Sequence, residues 1–322
     1  MLRAKGSLRL SDDDLEDVNR NNKLTSDRFV LSKRRQMCLL LTGLIVSLFL
    51  FMIRFILSQS LSVELLEENR PSCVIRVNTF RRNDLLAKFV AHYEICDAVA
   101  EITVVWSDTE KSPPKWLSKR PKVDVEVHSL DSLNNRFLPL KMPLREGVLS
   151  LDDDVFVTCQ TVSDLAEAFA TSPRQMIGLA PRLVSRNAKG LDYLLWWHVW
   201  WNNAYSLVLT KVSIFHRDYY YDYSENPLLA DIRKHVHDHR NCEDIAMSFL
   251  VANATKAPAV WLRAPYTDYG QSFLKHAGIS AAPDHHQIRI DCLTTFSHYF
   301  QDRLPLKTGH LKLKNANNDW LW

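Results

Sequence analysis

The strongest constraint on this chain is an apolar run at residues 37–57, MCLLLTGLIVSLFLFMIRFIL, whose first 17 residues carry no charge. An α-helix needs about 20 apolar residues to cross the hydrocarbon core of a bilayer. Arg54 lies near the end of the run, where a long side chain can reach the interface. A cleavable signal peptide is disfavoured because 36 residues precede the run and no small-residue cleavage site follows it. We therefore predict a single transmembrane signal-anchor rather than a buried core helix.

The charges that flank the run predict its orientation. Lys33, Arg34 and Arg35 directly precede it, and positive flanking charge stays in the cytosol. We expect a cytosolic tail at 1–36, a stem at 58–70 and one large lumenal domain at 71–322, in a type II, single-pass protein. Asn253, in the only Asn-x-Ser/Thr triplet, is a candidate glycosylation site, although such triplets are common by chance. Five cysteines follow the anchor, so at least one is free or paired between chains.

Composition and glycine spacing exclude several classes of function. The 322 residues include 40 basic and 37 acidic side chains, a balance too even to indicate nucleic acid as a partner. The closest two of the eight glycines are eight residues apart, whereas GxGxxG, GxxxxGK and GxSxG loops need closer spacing. HExxH and CxxC are also absent from the sequence. A Rossmann dehydrogenase, a P-loop NTPase and a serine hydrolase of the usual kind are therefore excluded.

Strand-like and helix-like segments alternate beyond the stem. Short apolar or alternating segments predict strands at 73–79, 101–107, 123–129, 147–154, 176–182 and 204–210. Helical spacing is found at 84–93, from 165 to 169 and at 244–251. This order predicts an α/β domain with a mixed, mainly parallel sheet flanked by helices, whose ligands bind beyond the carboxyl ends of the strands.

An acidic triplet, Asp152-Asp153-Asp154, ends the apolar run of the fourth predicted strand. Adjacent carboxylates repel one another, so their pKa values rise unless a cation neutralises them. Carboxylate oxygens suit hard cations such as Mg²⁺ or Mn²⁺, which proteins usually hold together with substrate phosphates. The triplet at 12–14 has the same sequence without a preceding strand and carries no such prediction. We interpret 152–154 as a metal–diphosphate clamp, with a solvated acidic turn as the alternative.

A second acidic site, NCEDIAM at 241–247, lies where a loop enters a helix. Asn241 as an N-cap and two acids in the first turn would stabilise the helix in any case, so this pattern alone does not establish a function. Four arginines are candidate phosphate ligands, although each alone is more often a surface charge: Arg82, Arg136, Arg182 and Arg289.

Two further clusters of side chains are better explained without a functional role. HVHDHR at 235–240 holds three histidines but no second cluster or carboxylate at ligand spacing, so we expect a solvated loop. YLLWWHVWW at 193–201 holds four tryptophans in nine residues. It is a sugar-stacking platform or a core and membrane-interface patch, and burial is the commoner fate of aromatic side chains.

Several motifs in order resemble those of the exostosin-like glycosyltransferases of family 64. The resemblance runs from about Cys73 to the end of the chain and is carried by VNTFRRNDLL (77–86), VVWSD (104–108), NNRF (134–137), LDDDVFV (151–157), GLAPR (178–182), NCEDIAMSFLVANAT (241–255) and the Arg-x-x-Cys at 289–292. Within the family, the chain is most similar to a plant branch that includes glycosylinositol phosphorylceramide mannosyltransferases.

The resemblance implies a GT-A fold, a nucleotide-sugar donor, Mn²⁺ and retention of anomeric configuration. It implies that Asp154 ligates Mn²⁺ and that Asp244 is the candidate catalytic carboxylate, with Arg289 approaching the donor diphosphate. It implies a disulfide between Cys242 and Cys292. The residues implied to line the donor nucleotide or sugar are Arg82, Asp131, Arg136, Asp152, Asp153, Arg182 and Glu243.

The function expected from these features is that of a Golgi transferase that passes a sugar to a glycolipid or a cell-wall glycan. GDP-mannose is favoured as donor through the plant-branch likeness, and a UDP-N-acetylhexosamine is the rival. Asp131 and VVWSD depart from the animal members of the family and leave the donor open. A non-catalytic partner subunit of another glycosyltransferase is the alternative from another class. A homo- or hetero-oligomer is compatible with either.

Overall fold

A computed structural model describes residue 37 and residues 41–56, 70–188, 190–271 and 284–310. The chain divides into two units, Met1–Arg70 and Pro71–Trp322. In the first unit, residues 41–56 form helix α1. No helix among the described residues is both long enough and apolar enough to cross a membrane. The expected cytosolic tail (1–36) and most of the expected stem (58–70) lie outside the described residues, so both stay predictions.

The second unit contains fourteen strands among its described residues, seven of which form one sheet. In chain order they are β1 (Cys73–Thr79), β2 (Val99–Trp106), β3 (Val123–Val127), β4 (Gly147–Asp152), β5 (Val155–Phe156), β6 (Ile177–Gly178), β7 (Pro181–Asn187), β8 (Gly190–Leu194), β9 (Ala204–Tyr205), β10 (Leu207–Val208), β11 (Val212–His216), β12 (Val260–Trp261), β13 (Thr267–Asp268) and β14 (Gly309–His310).

The main sheet has the order β12-β6-β11-β4-β1-β2-β3. Strands β4, β1, β2 and β3 pair in parallel, whereas β11 runs antiparallel to both β4 and β6. Strand β12 is parallel to β6. The predicted mixed, mainly parallel sheet is therefore confirmed, with β11 as the one reversed strand of the seven.

Seven helices follow in the second unit: α2 (Asn83–Tyr93), α3 (Cys159–Thr171), α4 (Trp196–Asn202), α5 (Asp218–Glu225), α6 (Ala230–His239), α7 (Glu243–Thr255) and α8 (His285–Tyr299). Apolar side chains from β1, β2, β4 and β11 form a buried core with α2 and α3. A second apolar cluster is formed by side chains of helices α5, α6, α7 and α8, which pack against one another. Helix α7 is buried along most of its length, because it lies between its neighbours rather than at the surface.

The structure corrects four of the local predictions. The single strands expected at 176–182 and 204–210 are each divided into two short strands that belong to different sheets. The histidine-rich segment is not a loop but the end of α6, because Ile232 and Val236, one helical turn apart, are both fully buried. Cys242, not Asn241, is the N-cap residue of α7.

The tryptophan segment is also corrected. Helix α4 buries Val199 but exposes Trp196, Trp197, Trp200 and Trp201, so the favoured burial of these side chains is wrong.

Candidate active site at the carboxyl edge of the sheet

The acidic triplet lies where the parallel strands end. Asp152 is the last residue of β4 and pairs in register with Asn78 of β1. The next residue of β1, Thr79, donates its hydroxyl hydrogen bond to Asp153 Oδ2 at 2.8 Å. Because both strands run in the same direction, the end of β1 lies beside the triplet and holds the Asp153 carboxyl group in place.

Arg82 joins the other end of the triplet to α2. Its guanidinium donates to Asp153 Oδ1 at 2.9 Å and to Asp154 Oδ2 at 2.7 Å. Arg82 precedes the first residue of α2, so the turn from β1 into the helix brings this charge onto the carboxylates. Fixed positive charge of this kind is what lets adjacent carboxylates stay close together.

Crowding and burial still raise the pKa values of two of the carboxylates. Burial is the main cause for Asp153, whose pKa rises to about 6 although Arg82 opposes the shift. Burial and the neighbouring Asp152 also raise the pKa of Asp154, and Asp268 adds to this effect. The site therefore carries more negative charge than its own arginines neutralise.

A segment with no predicted role closes against Asp154. Tyr269 donates its backbone N–H to the Asp154 carbonyl at 2.9 Å, and β13 pairs with β5 directly after the triplet. A Cβ placed on Gly270 would lie 2.3 Å from Asp154 Oδ2, so only glycine leaves this carboxylate where it is. Lys211 forms an ion pair with Asp268 at 2.7 Å.

Arg136 contacts the triplet from a third direction, out of the short 3₁₀ helix Leu133–Phe137. It is buried and forms a close ion pair with Asp152. Arg76, fully buried in β1, holds this helix by donating to the backbone carbonyls of Asn135 at 3.3 Å and of Arg136 at 3.0 Å. Arg76 also forms an ion pair with Glu126 of β3 at 2.8 Å.

The second acidic site is built by α7 and α8. Arg289 donates to Asp244 Oδ2 at 2.6 Å, to the Tyr193 hydroxyl at 2.9 Å and to Asn241 Oδ1 at 3.2 Å. The disulfide between Cys242 and Cys292, the pair that the resemblance implies, joins the start of α7 to α8. One hydrogen bond therefore joins the guanidinium to the Asp244 carboxylate, two more hold it against Tyr193 and Asn241, and the disulfide links the two helices.

The two acids of this site differ in charge. Burial raises the pKa of Asp244, but the adjacent Arg289 outweighs it and holds this pKa below its ordinary value. Burial and the neighbouring Asp244 raise the pKa of Glu243. Burial lowers the pKa of Arg136, but Asp152, Glu243 and Asp244 outweigh it and raise this pKa, so all three carboxylates lie near the arginine. The adjacent Glu243 and Asp244 have opposite pKa shifts, which favours Asp244 as the ionised group.

The remaining predicted residues lie further from these contacts. Arg182 is buried in β7 and donates to the Pro181 carbonyl at 2.8 Å. Its positive charge opposes the rise in the pKa of Lys211. Asp131 forms an ion pair with Arg240 at 2.9 Å. Asn253 is exposed near the end of α7 and accepts a hydrogen bond from Lys256.

Several residues that contact the site were not predicted from the sequence. Arg76, Lys211 and Asp268 belong to no motif that the sequence marks, and Tyr193, the first residue of the tryptophan segment, was not predicted to contact Arg289. A charged residue at position 76, inside the apolar strand CVIRVNT, was the available signal, because a buried charge needs a partner. The other three reach the site only through tertiary contacts.

The chain matches a known protein family. The Glycosyl transferase family 64 domain matches residues 72–318. That match takes in well over half of the 322 residues, so the chain belongs to glycosyl transferase family 64 and is a glycosyltransferase.

Three relatives illustrate the range of the family. Glycosylinositol phosphorylceramide mannosyl transferase 1 of Arabidopsis thaliana is 35% identical over 274 residues, which are 79% of this chain and 79% of that protein. Glucosamine inositolphosphorylceramide transferase 1 of Oryza sativa subsp. indica is 30% identical over 213 residues, 66% of this chain and 28% of that protein. Exostosin-1 of Mus musculus is 31% identical over 230 residues, 66% of this chain and 29% of that protein. The chain thus matches under a third of the length of the rice and mouse proteins.

Among solved structures, GalNAc-T7 with UDP, GalNAc and Mn²⁺ aligns with a TM-score of 0.40 and 10% identity, covering 58% of this chain and 41% of that one. A likeness of this extent carries no argument about fold or function.

Proposed function

We propose that this glycosyltransferase is a retaining, Mn²⁺-dependent Golgi enzyme of GT-A type that transfers mannose from GDP-mannose to a glycolipid such as glycosylinositol phosphorylceramide. One observation carries the chemistry: Arg136 forms an ion pair with Asp152 of the crowded triplet and is also attracted by Asp244, whose own pKa Arg289 holds low. The triplet suits a metal-bound diphosphate, and Asp244 suits the reacting sugar.

The residues fit a divalent cation. Asp153 and Asp154 have raised pKa values because their burial and mutual repulsion are not fully compensated, which is the condition that a bound cation relieves. The described residues contain no group of three His, Cys, Asp or Glu side chains disposed to hold a metal alone. Asp154 would therefore hold Mn²⁺ together with the donor phosphates, as is usual for hard cations. When bound, the metal would neutralise the leaving diphosphate.

The chain's own residues perform the rest. Arg289 adds fixed positive charge where negative charge develops on the leaving group. Its ion pair keeps Asp244 ionised, so the carboxylate can stabilise an oxocarbenium-like sugar or form a transient covalent adduct with it. Both routes retain configuration, and the acceptor hydroxyl attacks from the face that the nucleotide leaves. Arg82 and Arg136 hold the carboxylates in register while this happens.

The names of the relatives support the proposed donor and acceptor. The Arabidopsis protein is named as a mannosyl transferase and the rice protein as a glucosamine transferase, both with inositolphosphorylceramide in their names. The greater coverage and identity of the Arabidopsis protein favour mannose. A UDP-N-acetylhexosamine is the rival donor. A non-catalytic partner subunit is disfavoured, because a silent chain has no need of the buried Asp244–Arg289 pair, which costs desolvation energy.

Location is part of the proposal. The apolar run at 37–57, with basic residues before it, supports a type II anchor that leaves the domain from residue 71 in the Golgi lumen. The Cys96–Cys159 and Cys242–Cys292 disulfides suit that oxidising compartment.

Donor hydrolysis tests the proposed function. Full-length protein in detergent would be incubated with a panel of GDP- and UDP-sugars, with Mn²⁺ or with EDTA. We expect metal-dependent hydrolysis of GDP-mannose that Asp154→Ala abolishes. Gly270→Ala would displace the Asp154 carboxylate without removing it and should weaken Mn²⁺ binding about tenfold or more, by analogy with the loss of groups that orient metal ligands. Gly43→Ala, in open space, is the matched control.

Two outcomes would contradict the proposal. Hydrolysis of a UDP-sugar alone would reassign the donor. A folded protein that binds no nucleotide and hydrolyses no donor would favour the partner subunit.

A further inference from the structure

Helix α4 exposes five large apolar side chains within seven residues. The exposed fractions are 39% for Leu195, 57% for Trp196, 47% for Trp197, 47% for Trp200 and 87% for Trp201. We call these five residues the tryptophan face. Soluble surfaces rarely expose a contiguous apolar patch of this kind unless something binds there.

The fold holds the tryptophan face rigidly outward. Val199 is the one fully buried residue of α4, so the helix is fixed by a single anchor on its inner side. Asn203, in the left-handed conformation, ends the helix, and β9 follows immediately. Strand β9 pairs with β14, which fixes the exit of the helix as well. The exposure of these rings is therefore a consequence of the fold.

The tryptophan face lies next to the second acidic site. Strand β8 leads directly into α4, and its Tyr193 accepts the hydrogen bond from Arg289 that pairs with Asp244. Two residues separate Tyr193 from Trp196, which is the first tryptophan of the tryptophan face. Three residues of chain span at most about 10 Å, so the start of this face cannot lie further than that from Tyr193 along the backbone.

The charges beside the tryptophan face are positive. The Arg263 guanidinium lies 4.7 Å from the centre of the Trp200 ring and 5.9 Å from that of Trp261. Helix α4 itself, WWHVWWN, contains no acidic residue. Indole rings next to a cation match the boundary of a bilayer, where amphipathic rings sit at the headgroups and phosphates attract basic side chains.

We propose that the tryptophan face docks on the headgroup surface of a phospholipid bilayer. This inference rests on the proposed function in one respect, since a lipid-linked acceptor explains why a bilayer contact should lie beside Asp244 and Arg289. Docking would bring the acceptor headgroup to the site without extracting the lipid from its membrane.

Fluorescence quenching tests the contact in the full-length chain. The protein would be placed in nanodiscs of equal parts phosphatidylcholine and phosphatidylserine, with bromine on the acyl chains in one preparation and aqueous iodide added to another. We expect bromolipid quenching of tryptophan emission, most of which is lost in the double variant Trp196→Ser/Trp201→Ser. Leu228→Ser, at an exposed apolar side chain away from α4, is the control and should keep it.

The outcomes are distinct. Quenching by iodide but not by bromolipid would show that the rings face water, as a sugar-stacking platform would, and would overturn the proposal. Protection from both quenchers would indicate that another protein surface or the chain's own last residues cover the face, which also overturns it. Bromolipid quenching that survives in the double variant would come from other tryptophans and would count against the proposal. The measurement needs neither donor nor metal, so failure of donor hydrolysis would leave its result standing.

Discussion

Arg289 donates a hydrogen bond to Asp244 at 2.6 Å, although the two residues belong to different helices and are 45 positions apart. Both are buried, and Asn241 and Tyr193 accept the remaining bonds of the same guanidinium. Removing two charges from water costs several kcal/mol per ion, which such a pair recovers only with good geometry and satisfied hydrogen bonds. The pair is therefore better explained by the chemistry of the site than by stability.

Arg289→Lys tests the geometry of that pair. Lysine keeps the charge but cannot contact Asp244, Tyr193 and Asn241 at once, because it lacks the planar fork of arginine. We expect donor turnover to fall about 100-fold, the usual cost of losing one charge-stabilising donor. Arg174→Lys, at an exposed ion pair with Asp218, is the control and should leave turnover unchanged. Wild-type turnover in Arg289→Lys would show that the fork is unnecessary.

A second prediction compares the loss of one disulfide with the loss of the other. They close loops of similar length, with sequence separations of 63 for Cys96–Cys159 and 50 for Cys242–Cys292. On the chain-entropy argument each is worth roughly 4 kcal/mol. Replacing both cysteines of either bridge by alanine should therefore lower the free energy of unfolding similarly, which urea denaturation would measure.

Donor turnover should separate the two disulfides. Only Cys242–Cys292 joins the helices that carry Asp244 and Arg289, so its loss should reduce turnover at a temperature where both variants are folded. Equal turnover in the two variants would contradict this assignment.

Arg76 is predicted to position Arg136. Arg76→Met leaves Glu126 buried without its partner, and breaking a buried pair in this way costs about 3–5 kcal/mol. The double variant Arg76→Met/Glu126→Leu removes both charges and should regain most of that stability. It should still bind nucleotide more weakly, because the carbonyls of Asn135 and Arg136 lose their donor.

Calorimetric titration with GDP and UDP, beside urea denaturation, checks both halves of this prediction. Wild-type nucleotide affinity in the stable double variant would reduce Arg76 to a structural role.

Asp153 predicts an unusual pH dependence in the metal-free protein. Burial raises its pKa from 3.8 to about 6, so the folded state binds this proton more tightly than the unfolded state does. The stability that follows is fully present below pH 3.8 and is lost as the pH rises through about 6. Relative to Asp153→Asn, wild type should lose about 2 kcal/mol between pH 4 and pH 7.

Chemical denaturation of both proteins across that range measures the difference. Parallel pH profiles, or a wild type that gains stability as the pH rises, would show that Asp153 is ionised throughout.

The sequence by itself determined the four parallel strands β1 to β4 and the positions of the acidic residues, but not β11, which lies in the middle of the sheet. The segments CVIRVNT and GVLSLD contain enough apolar residues to form buried strands in almost any context, and Asp152–Asp154 must follow where the second of them ends. The motifs from VNTFRRNDLL to NCEDIAM also indicated the family, because each is a contiguous segment that can be recognised without the structure.

Tertiary structure alone decided how the sites are joined and what each group does. Whether Asp244 or Glu243 is ionised depends on which carboxylate faces Arg289, a contact across 45 residues. The exposure of the tryptophan face depends on which side of α4 packs inward. In each case the deciding energy comes from long-range contacts, which no local pattern of residues contains.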